Sequence, residues 1–503
     1  MTSPYSLYST EMIRVPSTEK GPTTGVVPGD IQIQILKYMG RKDARLAENA
    51  LARSYIGDLV LDARAEPTPR TFEIQLDPVT SLPVANQRAS GRCWIFAFTG
   101  LMRRAMIKKY DMDPSFQFSQ KYVQLFDRLE KCNALLETMF YMQAKEKKGP
   151  ESLEMVSLRD SFLSDGGTWA FFTRIVLKYG IVPQDAYPEN VQSASTGDLR
   201  NLLGRFLLGK NKELVQLFDS HWGQAPRQRF LDWKEQILRE CLSVFLKFFG
   251  VPPAQILWQY KNTKGKLLRP LASRMTPLEF YHTVVKEAVN LEQFVVLIHD
   301  PRRAYGTVMS VELSHNVVDD TEATGPYGGP NLRHPGRLSN AYLNVDLQDL
   351  KDPIVKSLRR NVAVPFAADV SILMRGSSSR MDLDAQYKSV LDFEPVTERK
   401  QMYENMLSGP EHAMLFVGAS PSHTTPRGTY AYQVENSWGQ QNCTYPYLTM
   451  SDGWMDKYVS EIIVHRNFVP VPLLKKYDTA IRDRGSRIQY YPFWDIFGQL
   501  AAS

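Results

Sequence analysis

Cysteine is scarce in this chain, with only four in 503 residues: Cys93, Cys132, Cys241 and Cys443. Their spacing is too wide for a zinc knuckle and too sparse for a disulfide framework in a chain of this length, so reduced thiols in a cytoplasmic protein are expected. A surplus of either charge is also lacking. The 60 basic residues exceed the 54 acidic ones by a net +6, which permits contact with single-stranded DNA or RNA without arguing for it. No run approaches the roughly 18 consecutive apolar residues of a transmembrane helix, so no membrane partner is expected. The segment from Met1 to Lys20 lacks the apolar core of a secretory signal and is too poor in arginine for a mitochondrial presequence.

What is present is an ordinary globular composition, 43% hydrophobic and 23% charged, in a chain long enough for two or three packed lobes. Residues 1–70 read as an arm, with turn-rich stretches around a short helical pattern from Ile31 to Tyr38. From Gln87 the apolar density rises. Helices are expected from Cys93 through Lys108-Lys109, from Phe116 to Met142, and from Trp169 to Tyr179, the last closed by Gly180. Residues 71–190 thus form a helical lobe, and 191–360 a largely helical insertion with short strands. In it, Thr276-Pro277-Leu278-Glu279 is a capping box that opens a helix to about Val289. Short β-branched runs then take over: 294–298, 341–345, 362–370, 413–417, 429–434, 445–450 and 461–464. Residues 361–485 form a β-rich lobe and 486–503 a C-terminal arm. The fold class is α+β, with helices and strands segregated.

The chemistry is concentrated around Cys93. A cysteine that opens an apolar helix has its thiolate favoured by the positive end of the helix dipole. Six residues earlier, Gln87 offers a neutral amide that, with the Cys93 backbone N–H, supplies the two donors an oxyanion needs. An isolated buried cysteine is usually structural, and Cys132, Cys241 and Cys443 are read that way. For Cys93 two further segments change the reading. His412 opens a strand after Gly409-Pro410-Glu411, and Asn436 ends the following strand within Asn436-Ser437-Trp438-Gly439. Both would then stand at one rim of a small sheet, where the asparagine carbonyl fixes the imidazole tautomer and Trp438 shields the bond from water.

The order Gln, Cys, His, Asn resembles the papain-like cysteine peptidases. The form Gln87-x-x-x-Gly91-Arg92-Cys93-Trp94 resembles the bleomycin hydrolase branch, where Arg92 departs from the commoner papain pattern. Ser164-Asp165-Gly166-Gly167-Thr168-Trp169 resembles the family's groove-lining glycine pair, and the Pro492-Phe493-Trp494-Asp495 segment its tail. Glu411 stands where relatives usually carry threonine, and the stretch from Arg303 to Gly336 does not match.

The resemblance implies a papain-like two-lobe cysteine peptidase, the helical lobe carrying Cys93 and the β-rich lobe His412 and Asn436. It implies an aminopeptidase that hydrolyses peptide and related amide bonds from a free N-terminus, with no metal or organic cofactor. Gly166, Gly167, Trp94 and Trp438 would contact substrate. The C-terminal arm would lie in the cleft, so that the Ser503 carboxylate meets the substrate amine. A homohexameric ring and a secondary single-stranded nucleic-acid activity are further implications. Three rival readings stay open: an idle papain fold acting as a nucleic-acid-binding regulator, a different thiol enzyme, and an endopeptidase with an open cleft.

Overall fold

The computed structural model describes residues 28–498 apart from 61, 63–67, 69, 78–81, 220–226, 271–272, 314–316, 318–339, 371–379, 384–385, 422–428, 440–446 and 484–485. The chain divides into two compact units, Met1–Glu66 with Asp384–Pro395, and Pro67–Leu383 with Val396–Ser503. The smaller unit contains α1 (Pro28–Met39), α2 (Lys42–Leu51) and α3 (Ile56–Leu59). Within it Arg41 bridges to Asp392 at 2.8 Å, and Gln386 N donates to Val60 O.

The larger unit holds the candidate site. Its helical part begins with α4 (Cys93–Tyr110), α5 (Gln120–Tyr141), α6 (Leu153–Leu163) and α7 (Trp169–Tyr179). Helix α4 starts and ends where the sequence predicts, with Lys108 and Lys109 in its last turn. Helix α5 starts four residues later than expected because the Ser119 hydroxyl caps it, accepting from Tyr122 N; it ends in a π-helical turn, Met142–Glu146. Helix α7 is capped by the Thr168 side chain and stops at Gly180, whose φ of +77° favours glycine. The insertion is helical to Phe249, where Arg227–Phe249 packs along α5. The capping box at Thr276 forms as expected, followed by π-helical Tyr281–Val285.

The strands are β1 (Ile74–Gln75), β2 (Ile256–Leu257), β3 (Tyr260–Lys261), β4 (Leu267–Leu268), β5 (Arg274–Met275), β6 (Phe294–Ile298), β7 (Val308–Val311), β8 (Tyr342–Asn344), β9 (Val364–Ala368), β10 (Arg380–Met381), β11 (His412–Pro421), β12 (Thr429–Glu435), β13 (Tyr447–Ser451), β14 (Val459–His465) and β15 (Gln489–Tyr491). One sheet runs β10-β13-β12-β11-β9-β14-β6-β8-β7-β15, with β1 added to β11. Its central strands β6, β9 and β14 are buried nearly throughout, which their continuous β-branched and aromatic runs anticipate. Helix α4 lies against β11 and β9. Gly100 makes that approach tight, since a Cβ there would stand 2.6 Å from Leu415 Cδ1. The fold is α+β: helices dominate the first half of the chain and strands the second, with the helix Leu347–Arg359 among those interleaved with the strands.

Beyond the seven runs read as strands, the sheet gains β1, β7, β10 and β15, and two short pairs, β2 with β5 and β3 with β4, form in the insertion. β15 joins β7 in parallel, so the C-terminal segment becomes the edge of the main sheet. Among the described residues no helix is long and apolar enough to cross a membrane.

Candidate active site

Cys93 is the first residue of α4, and the neighbouring backbone amides of Ala413, Trp94 and Cys93 itself favour its thiolate. Burial nevertheless dominates and pushes the thiol up. The preceding loop is held from behind. Arg92, almost fully buried, directs its guanidinium to both carboxylate oxygens of Glu189 at 3.0 and 2.9 Å, to Gln124 Oε1 at 3.2 Å and to Ser90 Oγ at 2.9 Å. This residue, which marked the family branch in the sequence, therefore builds the loop and does not face the cleft.

Gln87 is buried. One hydrogen of its Nε2 is taken by Ser90 O at 2.7 Å, while Oε1 accepts from Ser437 Oγ at 2.6 Å. An amide carries two such hydrogens, so one remains for an oxyanion. The Gln87 backbone N–H donates to Ser437 O at 2.7 Å and Gly439 N–H to Ala85 O at 2.9 Å. The Gln87 loop is thus sewn to the segment that carries Asn436.

His412 opens β11 and Asn436 follows the end of β12, its antiparallel neighbour. His412 Nε2 and Asn436 Oδ1 are 2.8 Å apart, and the Trp438 ring lies 5.1 Å from the imidazole at a 37° tilt. Oδ1 also accepts from Ser437 N at 2.7 Å. Burial pulls the imidazole below its ordinary value, partly offset by Asn436. The two burial effects favour the uncharged thiol and the uncharged imidazole. Charge on either is best compensated by transfer of the thiol proton to the imidazole, which creates both charges at once.

The glycine pair lines the same cavity as Cys93 and Ala413. Trp94 Nε1 donates to Asp165 O at 2.7 Å, and Lys131 Nζ donates to Ser164 O and Gly166 O. A Cβ on Gly167 would stand 2.5 Å from the Trp94 ring. Cys93, Trp94, Gly166, Gly167, Glu411 and Glu461 line a cavity of about 30 Å³, and Phe497 lines it too. The sequence singled out Glu411 only as a departure and quoted Asp165 only within the glycine-pair segment; it did not mark Glu461, Lys131 or Arg128, the ion-pair partner of Asp165. Buried charge next to a glycine pair was the available signal, but sequence does not reveal which charges are buried.

The C-terminal segment reaches this cavity. Tyr491 OH donates to Asp300 Oδ2 at 2.7 Å, and Arg302 spans Asp300 and Asp495. Phe497 stacks on Tyr491 with centroids 5.3 Å apart. Ile496 and Phe497 are buried, whereas Trp494 is half exposed. Ser503 lies outside the described residues, as does Cys443. Cys132 and Cys241 are free and buried.

A cysteine at a helix start, facing a histidine–asparagine pair on a sheet rim across a glycine-lined cleft, defines a papain-like cysteine peptidase. The profile of the Peptidase C1-like family matches residues 35–498, and the chain belongs to that family. Bleomycin hydrolase of Rattus norvegicus is 29% identical over 431 residues, covering 84% of this chain and 87% of the relative. Aminopeptidase C of Lactococcus lactis subsp. lactis is 28% identical over 465 residues, covering 91% and 95%. The crystal structure of PepW from Lactobacillus rhamnosis HN001 shares the fold, with a TM-score of 0.81 at 23% identity over 95% of this chain and 100% of that one.

Proposed function

We propose that this chain is a cysteine-type aminopeptidase that removes residues from peptides with a free N-terminus. The observation that supports it best is the His412–Asn436 pair at 2.8 Å, beside a cleft whose lining includes Cys93. The names of its relatives, bleomycin hydrolase and aminopeptidase C, favour hydrolysis from the N-terminus.

In this reading the Cys93 proton passes to His412 and the sulfur attacks the substrate carbonyl carbon. The oxyanion rests on the Cys93 N–H and the remaining Gln87 Nε2 hydrogen. His412 returns the proton to the leaving amine as the C–N bond breaks. A water, deprotonated by the same imidazole, hydrolyses the thioester and restores the thiol. Asn436 orients the ring throughout, with Trp438 covering it. Gly166 and Gly167 offer backbone groups to the substrate, over Trp94. The C-terminal arm, running toward Ser503, limits how far a chain extends on the acyl side. A cytoplasmic homohexamer belongs to the same reading. Binding to single-stranded DNA or RNA has only the net charge of +6 in its favour.

The test compares fluorogenic aminoacyl amides with free and acetylated amines, using Cys93→Ala as control. Cleavage restricted to the free-amine substrates and lost in the variant is the expected result. Cleavage of acetylated substrates at the same rate would make the protein an endopeptidase. No cleavage of either would leave the binding-protein reading, checked by salt-dependent retention of single-stranded DNA.

A further inference from the structure

Three neighbouring strands place Ala413, Ala367 and Glu461 side by side, since Ala413 pairs with Ala367 and Ala367 with Glu461. Residues in register across strands share a face. All three line the cavity beside Cys93. Two methyl groups leave a hollow in the sheet surface, and a carboxylate stands at its far side. The row spans about 10 Å, two strand spacings.

Glu461 is only 7% exposed, yet it has no hydrogen-bond or ion-pair partner among the described residues. Desolvation alone pushes it up to about 7. Among the described residues its charge acts on the buried Tyr342 hydroxyl, which burial raises first and Glu461 further, while Arg174 lowers it. A buried carboxylate without donors is costly to keep. Glu411 occupies the side of the cavity next to His412 and shares a hydrogen bond with Asp369. Desolvation, followed by the charge of Asp369, raises Glu411 to about 7 as well.

The volume decides what fits. About 30 Å³ holds a few water-sized groups. An ammonium group fits that space. An ammonium also supplies the donors and the charge that Glu461 lacks, and charge attraction persists over several ångströms in a buried site.

We propose that Glu461, with Glu411 at the near side, forms an acidic subsite that receives the substrate's N-terminal ammonium while the carbonyl to be attacked faces Cys93. This rests on the aminopeptidase reading and adds the chain's own side chains as the groups that recognise the free amine. The electrostatic work assigned to the tail carboxylate is thereby shared with a residue built into the sheet.

The test is steady-state kinetics of the full-length protein on free-amine aminoacyl amides, comparing wild type with Glu461→Gln and Glu461→Asp. Glu461→Gln keeps the shape and removes the charge. It is expected to raise KM by about tenfold or more with kcat changed by no more than about threefold, and Glu461→Asp to recover part of the loss. Thermal melting of each variant separates loss of binding from loss of fold. An unchanged KM in a folded Glu461→Gln protein would overturn the subsite and leave the aminopeptidase reading standing. Wild-type protein that cleaves no free-amine substrate would overturn both.

Discussion

The Ser437 hydroxyl donates to Gln87 Oε1 at 2.6 Å across a sequence separation of 350 residues. That bond fixes which way the Gln87 amide faces, because the oxygen is tied to Ser437 and one Nε2 hydrogen to Ser90 O at 2.7 Å. The remaining hydrogen has one orientation available. Gln87→Ala should lower kcat by about 10²–10³ with little change in KM, the pattern of a donor used in the transition state. Ser437→Ala leaves the amide in place but frees it to turn, and a smaller loss of about tenfold is expected. Equal effects of the two on KM alone would show that neither touches the oxyanion.

Gly167 sits against the face of Trp94, so Gly167→Ala forces the added methyl into a ring 2.5 Å away. Overpacking of this kind costs about 1–3 kcal/mol. Chemical denaturation should show that loss, accompanied by a drop in kcat/KM, because Trp94 follows Cys93 directly in α4.

Glu461 makes a prediction about pH that needs no substrate. Its folded-state value of about 7 lies above the ordinary carboxylate range. The folded protein therefore keeps a proton that the unfolded chain has released, and stability falls as pH rises from about 4.5 to about 7. The facing groups are Tyr342, Glu411 with Asp369, and Arg174, which acts on Tyr342. Glu461→Gln removes the penalty. It should match wild type at pH 4 and exceed it at pH 8 by on the order of 3 kcal/mol. Melting curves at the two pH values check this, and a variant less stable at pH 8 would contradict it.

Asp495 holds the C-terminal segment through Arg302, with contacts at 3.0 and 3.1 Å. Asp495→Asn weakens that hold while preserving size. If the segment limits access to the cleft, acetylated substrates should gain cleavage in the variant while free-amine substrates lose some. Limited proteolysis near the C-terminus reports the loosening independently.

Much of this was legible in the sequence because local chemistry agreed with tertiary placement. The helix at Cys93 has apolar residues on every side and cations in its last turn, and it forms where that pattern says. The strand order around His412 and Asn436 follows from two β-branched runs joined by a turn-rich stretch. Other features depend on pairing between distant segments. The strand Val308–Val311 forms because Tyr342–Asn344 and Gln489–Tyr491 flank it. The helix Leu347–Arg359 contains Pro353, whose missing N–H argues against a helix locally, yet its apolar face is buried against β11 and β14. The acidic pair in the cavity was invisible for a related reason. Glutamate in a strand usually faces water, and only the register with two alanines reveals that Glu461 faces inward.

The interlock between residues 85–87 and 437–439 also has a consequence for how the molecule is made. Contacts of such long sequence separation form late, since the loop they close spans 350 residues. A nascent polypeptide acquires Cys93 well before the strands that carry His412 and Asn436, and Phe497, which lines the cleft, is made later still. Assembly of the cleft therefore waits until both distant segments have been made. Until then the Cys93 thiol is separated from His412, and the loop at Gln87 lacks the segment that holds it.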